Sequence, residues 1–271
     1  MDTTPGPDRT PAPRPRDPLA RAFQILSIMV ESDDESFGVR QLASRLSVSA
    51  STAHRLLNDL EKLGLIARTA DANYQVGHEF YRLAWAATAR FPLRQAAREP
   101  LRDLARASGE TAFLGVYDDL HHQMMFATCV ESRHPLRYVV ELNRWMPLHA
   151  GASGHAILAH LPPAVRAEIT SADRLEPITD ATITDPQQLD ASLAEVRKHG
   201  YAMSRGQRIP GALAIAAPVF GPHGGVVGDI GITMPDGRFD PTQEATLATQ
   251  VVTAAATATT RVGGTTPEHT P

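Results

Sequence analysis

Cysteine is almost absent. Cys129 is the only one in 271 residues, which excludes an intramolecular disulfide and a multi-cysteine zinc site and fits a reducing cytoplasm. No apolar run approaches the length of a membrane span, and the N-terminus has no apolar signal core. An excess of one charge is missing too. Lys and Arg number 26 against 30 Asp and Glu, a formal net charge of −4. Contact with a polyanion must therefore come from a local patch rather than a global field. There is no nucleophile elbow, P-loop or dinucleotide-binding glycine pattern, and Asp236-Gly237 and Gly224-Gly225 read as turn signals. Internal repeats are lacking. What remains, 42% hydrophobic and 21% charged residues, is ordinary globular composition in a chain long enough for two domains.

What is there begins between Phe37 and Ser47. Val39, Leu42, Ala43 and Leu46 recur at i, i+3, i+4 and i+7 and share one helix face. A short turn leads to a second helix with Ala53, Leu56, Leu57 and Leu60 inward. Ser49 is its expected N-cap. Its other face carries Ser51, Arg55, Asn58 and Lys62. Small polar residues there let a backbone approach the DNA major groove, and Arg or Asn pairs with base edges. Gly64 ends the helix. Leu65–Arg68 and Asn73–Val76 then read as two short strands around a turn. Upstream, Leu19, Ala22, Phe23, Leu26 and Val30 are the expected apolar stripe of a first helix. The layout is that of a winged helix-turn-helix. Expected DNA contacts are Arg40, Ser49, Ser51, Thr52, His54, Arg55 and Asn58, with Arg68 of the wing as its best phosphate contact. Glu31, Asp33, Asp34 and Glu35 make the loop after the first helix acidic; it is expected to face away from the phosphates. The alternative is a helical hairpin with a solvated polar face.

Residues 1–16, rich in proline, and residues 263–271 are expected to be disordered. Residues 17–77 form the DNA-binding domain, and 78–91 a linker helix ended by Phe91-Pro92. Residues 92–262 form an α+β domain with a mostly antiparallel sheet flanked by helices. Its helices are expected at about Leu93–Ala107, Pro163–Thr170, Gln187–His199 and Pro241–Arg261. Strand-like runs fall at Thr111–Tyr117, Gln123–Val130, Leu136–Leu142, Tyr201–Ser204, Ala212–Phe220 and Val226–Met234. The segment Ala150-Gly151-Ala152-Ser153-Gly154-His155 leads into a helix of Ala156–Ala159. Small residues at a helix N-terminus expose backbone N–H groups suited to a carboxylate. On Val226–Met234, alternation sets Val227, Asp229, Gly231 and Thr233 on one face and Val226, Gly228, Ile230 and Ile232 on the other. The second face is expected to be core. The first is either a pocket floor or simply solvent-facing.

Taken in order, Phe37–Ala43, Ser51–Leu57, Leu60–Ile66, Tyr74–Gly77, Pro147–Ala150, Gly200–Ala202 and Ile215–Val219 resemble the IclR family of bacterial transcriptional regulators, over nearly all of 17–262. The resemblance implies a C-terminal GAF-like effector domain and homodimers, often paired into tetramers, on palindromic operators. It implies small organic acids or aromatic catabolites as effectors. By motif alignment the pocket positions are Met146, Ala152, Ser153, Ser204, Ala214, Gly231 and Thr233, with Asp229 nearby. The family commonly has an acidic residue where Gln207 stands and often a basic one where His155 stands. Asp229 is unusually acidic for its strand; facing the pocket, it would disfavour a simple dicarboxylate and favour a ligand with a hydroxyl or amine.

Two other classes stand beside this reading. An enzyme fused to a DNA-binding module would draw on His121, His122, His134, His149 and His155, with Cys129 as a conceivable nucleophile. A metal-sensing regulator would use Cys129 with His121, His122 or His149, although their spacing matches no compact zinc motif. The reading expects no catalytic residues, no resident metal, no cofactor and no membrane partner. Double-stranded DNA and a small-molecule effector are the expected partners.

Overall fold

In a computed structural model residues 17–267 are described, and the chain divides into two compact units, Met1–Arg90 and Phe91–Pro271. The expected arm, 1–16, and the last positions of the expected tail, 268–271, lie outside the described residues.

The first unit opens with α1 (Pro18–Glu31), capped by the Asp17 side chain, which accepts from Leu19 N. Next come α2 (Val39–Leu46) and α3 (Ala50–Lys62). Ser47 adopts the left-handed conformation between them, with φ 53°. The hairpin of β1 (Ile66–Arg68) and β2 (Tyr74–Val76) pairs Ile66 with Val76 and Arg68 with Tyr74. Leu42, Leu57, Ile66, Tyr74 and Phe37 close the core with Ile25 and Met29. Here the sequence reading needs correction. Of the stripe expected on α1, only Ala22 and Leu26 pack on the core; Leu19, Phe23 and Val30 are 76%, 70% and 55% exposed. Apolar residues surround most of this helix, so periodicity alone does not select a face; packing against α3 does. Helix α4 (His78–Ala89) completes the unit and buries none of its residues.

The second unit places α5 (Pro92–Ser108) before β3 (Thr111–Asp118) and β4 (Gln123–Val130), a hairpin through residues 119–122. After β5 (Met146–Pro147) come α6 (Gly151–Leu158), α7 (Pro163–Ile169) and α8 (Pro186–His199). Then β6 (Ala202–Arg205), β7 (Ala212–Phe220) and β8 (Val226–Pro235) lead to α9 (Glu244–Arg261). The strands form one antiparallel sheet in the order β5-β4-β3-β8-β7-β6. Leu114, Ile215, Ile230 and Ile232 pack one face against α5 and α9. Phe113, Ala216 and Phe220 pack the other against α6 and α8. The α+β architecture read from the sequence is the one observed.

Two local expectations differ. Residues 136–142 form no strand. Arg238 Nη1 donates to the Leu136 carbonyl, the Tyr138 hydroxyl donates to the Pro210 carbonyl, and Leu142 makes only an isolated bridge to Phe126. The edge of β4 is taken instead by β5, with Met124 opposite Met146. On β8, a bulge lets Phe220 pair with Val226 while Val219 pairs with Gly228. The extra residue turns Val226 to the α6 side, away from the face of Ile230 and Ile232.

The sheet is tight where β3 meets β8. A Cβ on Gly228 would lie 2.2 Å from the Gly115 carbonyl oxygen. Gly228→Ala is expected to destabilise this unit by about 2 kcal/mol or more, read from urea unfolding; an unchanged midpoint would contradict the close approach.

Candidate nucleic-acid interface and ligand site

The start of α3 is held by its own polar side chains. Ser49 Oγ accepts from Thr52 N at 3.2 Å and lies 3.0 Å from Ser51 Oγ and 2.8 Å from Thr52 Oγ1. One turn on, the Asn58 amide meets His54 Nδ1 at 3.1 Å. Ser51, His54 and Arg55 are exposed and Thr52 and Asn58 half-buried, while Ala53, Leu56, Leu57 and Leu60 are buried. The helix therefore presents a preorganised polar face beginning at its positive end, which favours a phosphate nearby. Among the described residues, neither Arg40 nor Arg55 makes an ion pair, so both are available to an anion.

Other cations are partly committed. Arg45 Nη2 lies 3.2 Å from Asp34, which also accepts from the Gln41 amide, and the guanidinium sits over the Phe37 ring. The acidic loop thus folds back on α2 and neutralises one cation of the helix pair. Arg68 is exposed, yet its guanidinium donates to the Tyr74 hydroxyl and stacks 5.1 Å from that ring. This fixes the arginine's direction and leaves its remaining N–H groups to solvent.

In the second unit, the expected pocket positions converge. Ser204, Ala214 and Thr233 lie in one register row across β6, β7 and β8, so their side chains share a face. That face meets α6: the Ser204 hydroxyl accepts from Ala152 N at 2.9 Å. Gly231 and Asp229 follow on the same face of β8. Ser153 and Ala152 are buried at the helix start, and Met146 is buried on β5. The face of Asp229, Gly231 and Thr233 is thus covered rather than solvent-facing. The helix N-terminus also differs from expectation. Its first N–H groups are not open, because Gln207 Oε1 accepts from Gly151 N at 2.9 Å beside the Ser204 bond to Ala152.

Arg208 belongs to this site and gave no signal in the sequence. Its Nη1 lies within 3.4 Å and 3.5 Å of the Pro147 and Ala150 carbonyls, just ahead of α6. Burial lowers its pKa to about 10, so it stays charged near neutrality. Gly151 has φ 84°, and a Cβ there would meet the Arg208 stem at 2.6 Å. His149 and His155 are structural. A ring N–H of His149 donates to the Glu176 carbonyl, and one of His155 to the His149 carbonyl, each at 2.8 Å. Burial lowers both pKa values, that of His155 to about 4.

Asp229 is the anomaly. It is fully buried, and among the described residues neither carboxyl oxygen makes a hydrogen bond of good geometry, although the Ser153 hydroxyl lies close by. A Cβ on Gly115, its partner across the strands, would lie 1.9 Å from Asp229 Oδ1. Glycine at that position makes the room. Burial pushes its pKa up to about 7, with the nearby Ser153 hydroxyl acting in the opposite sense.

Family comparisons bear on both units. The IclR helix-turn-helix domain matches residues 18–70, and the bacterial transcriptional regulator IclR C-terminal domain matches residues 85–260. The chain belongs to the IclR family. The HTH-type transcriptional regulator BhcR of Paracoccus denitrificans is 32% identical over 238 residues, covering 88% of this chain and 84% of that protein. A putative IclR regulator from Silicibacter superposes with a TM-score of 0.80 at 28% identity, over 94% of this chain and 100% of its own. An IclR homolog from Microbacterium hydrocarbonoxydans, solved with 4-hydroxybenzoate, gives a TM-score of 0.80 at 24% identity, over 91% of this chain and 99% of its own. IclR proteins of this kind are DNA-binding transcriptional regulators rather than enzymes, and the winged helix and α+β domain of this chain are those of the family.

Among the described residues, no three His, Cys, Asp or Glu side chains are grouped to hold a metal ion. The Cys129 thiol is pushed up in pKa by burial and by Glu131, the wrong direction for a nucleophile. No helix among the described residues is long and apolar enough to cross a membrane.

The buried acid predicts a pH dependence. In the unfolded chain Asp229 ionises near its ordinary value, whereas in the fold it keeps its proton to about pH 7. The folded state binds more protons between those values, so stability falls as pH rises through that window. The ceiling is on the order of 4 kcal/mol. Asp229→Asn is expected to flatten the decline in Tm of the second unit between pH 5 and pH 8; an equal decline in both proteins would refute the assignment.

Proposed function

We propose that this regulator binds a palindromic operator as a homodimer or a dimer of dimers in the cytoplasm, and that a small organic effector controls that binding. Residues 17–77 are the DNA-binding domain, 78–91 join it to the effector domain of 92–262, and the effector biases which arrangement of winged helices fits the half-site spacing. The observation that carries the DNA reading is the outer face of α3, with Arg55 exposed and without an ion pair among the described residues, on the helix of the His54–Asn58 pair and the Ser49–Thr52 cap. Arg40, Ser49, Ser51 and Thr52 are the further contacts of the two helices, and Arg68 is the wing's phosphate contact. Self-association is supported by apolar residues left outside on α1 and α4, among them Phe23 at 70% and Trp85 at 72% exposure.

For the effector, donors and acceptors decide the chemistry. Gly151 and Ala152 N–H groups are occupied by Gln207 and Ser204, and the Thr233 hydroxyl donates to the Leu213 carbonyl at 3.1 Å. Among the described residues, the buried side-chain polar atoms left without a partner are the Asp229 oxygens and Gln250 Oε1 on α9. The site near α6 therefore has acceptors to spare and one cation, Arg208. A carboxylate carrying a hydroxyl or amine matches that inventory: the carboxylate toward Arg208 and the helix start, the donor toward Asp229. Met146, Ala152, Ser153, Ser204, Ala214, Gly231 and Thr233 would enclose it. The neighbouring Microbacterium protein was solved with a ligand of this kind, 4-hydroxybenzoate.

Mobility shift with the DNA upstream of this gene, at fixed salt, tests both halves. Arg55→Ala is expected to abolish the specific shift in a protein that still folds and dimerises; unchanged affinity would refute its role. Arg68→Ala is expected to weaken binding to all sequences alike and to lower the salt slope by about 1. Loss at a single base pair would contradict a phosphate contact. A hydroxy- or amino-carboxylate is expected to alter the shift at lower concentration than a plain dicarboxylate of the same length, and the reverse order would overturn the effector reading.

A further inference from the structure

Strand β6 covers only part of β7. Its pairing ends at Ala202 opposite Ala216, and among the described residues no other strand pairs with the outer edge of Ala217–Phe220. That edge is closed to strand addition. Pro218 has no N–H to offer, Phe220 N donates to Thr259 Oγ1 at 3.1 Å, and Gly264 lies against the Phe220 carbonyl, where a Cβ would be 2.0 Å away.

Beside the blocked edge is a cavity of about 530 Å3, within the range that holds small organic ligands. Ala217, Phe220, Val252 and Ala255 give it an apolar floor, and Thr266 and Pro267 close one side. The opposite wall is the last turn of α8, which supplies Arg197, Lys198 and His199. His160 stands edge-on to the Phe220 ring at 5.3 Å. Glu195 lies 3.7 Å from Lys198 and 3.0 Å from His199. Arg197 Nη1 donates to the Ala159 carbonyl at 3.3 Å, with Arg166 and Asp190 nearby.

We propose that this cavity is a second ligand site, separate from the one at the start of α6, and that it takes an organic monocarboxylate with a flat apolar body. The body lies on the alanine and phenylalanine floor, and the carboxylate meets the cationic end of α8. The site lies beyond the far end of α6, since His160 follows Leu158, the last residue of that helix.

Isothermal titration of the full chain with 2-naphthoate tests this. One saturable site is expected. Two exposed positions allow it to be altered without disturbing the core: Ala256→Trp fills the rim from α9, and Lys198→Glu reverses a wall charge. Each is expected to weaken binding at least tenfold with an unchanged circular dichroism spectrum, whereas Ser204→Ala, at the other site, leaves it intact. The uncharged 2-naphthalenemethanol is expected to bind at least tenfold more weakly. Absence of saturable binding at millimolar ligand, survival of binding in both rim variants, loss of binding in Ser204→Ala, or equal affinity for the alcohol would each overturn the proposal.

Discussion

The second unit depends on how closely α6 lies on its sheet. All eight residues of this helix are buried, so every polar group it brings must find a partner inside the protein. Small residues make the approach possible. A Cβ on Gly154 would fall 2.2 Å from the Leu148 carbonyl oxygen, so the chain entering the helix packs directly on its own first turn. The same compression explains the two buried histidines. His149 and His155 spend their ring N–H groups on backbone carbonyls, tying the strand–helix corner to the Glu176 segment. It also brings side chains to the helix N-terminus, with Ser204 and Gln207 reaching in from the β6 region.

The first unit meets a different constraint, since an acidic chain must still offer a basic surface. It does so by sorting charges. Asp34 turns back on Arg45, Lys62 lies 3.2 Å from Asp59, and Glu79 engages Arg82. Arg40 and Arg55 are left without an ion pair among the described residues. Exposed pairs of this type contribute little to stability. Their effect is to decide which cations remain available to a polyanion. Arg68 is a further case: stacked on Tyr74, it has already lost much of the rotamer entropy that a free arginine gives up on binding.

Much of this was legible in the sequence, and the reasons it was or was not are physical. Helices α2 and α3 were readable because each has one apolar stripe, so periodicity and packing agree. In α1 they part: its apolar residues run nearly all round, and the sequence cannot say that Ile25 rather than Phe23 turns inward. The strand-like run of Leu136–Leu142 has suitable composition, but a strand also needs a free edge, and Met146–Pro147 takes that of β4. Alternation placed Asp229, Gly231 and Thr233 on one face correctly, because a period of two survives any twist of the sheet. It failed at Val226, where a bulge adds a residue that no pattern announces. Arg208 was invisible because its partners are backbone carbonyls, which carry no sequence identity.

Asp229 shows how a chemical preference can arise from what a fold leaves unfinished. An ionised carboxylate in a dry layer is costly, and protonation relieves the charge without supplying hydrogen bonds. Gly115 opposite it leaves just enough space for the group, and no cation within the described residues pairs with it. Replacement by a valine would suit an apolar neighbour such as Met124 better by packing alone. A protein that retains the acid therefore holds an acceptor pair whose best satisfaction comes from outside the fold. A donor delivered by a ligand lowers the cost of burial, whereas a second carboxylate raises it. Selectivity at such a site follows less from the contacts a ligand makes than from the deficit it removes.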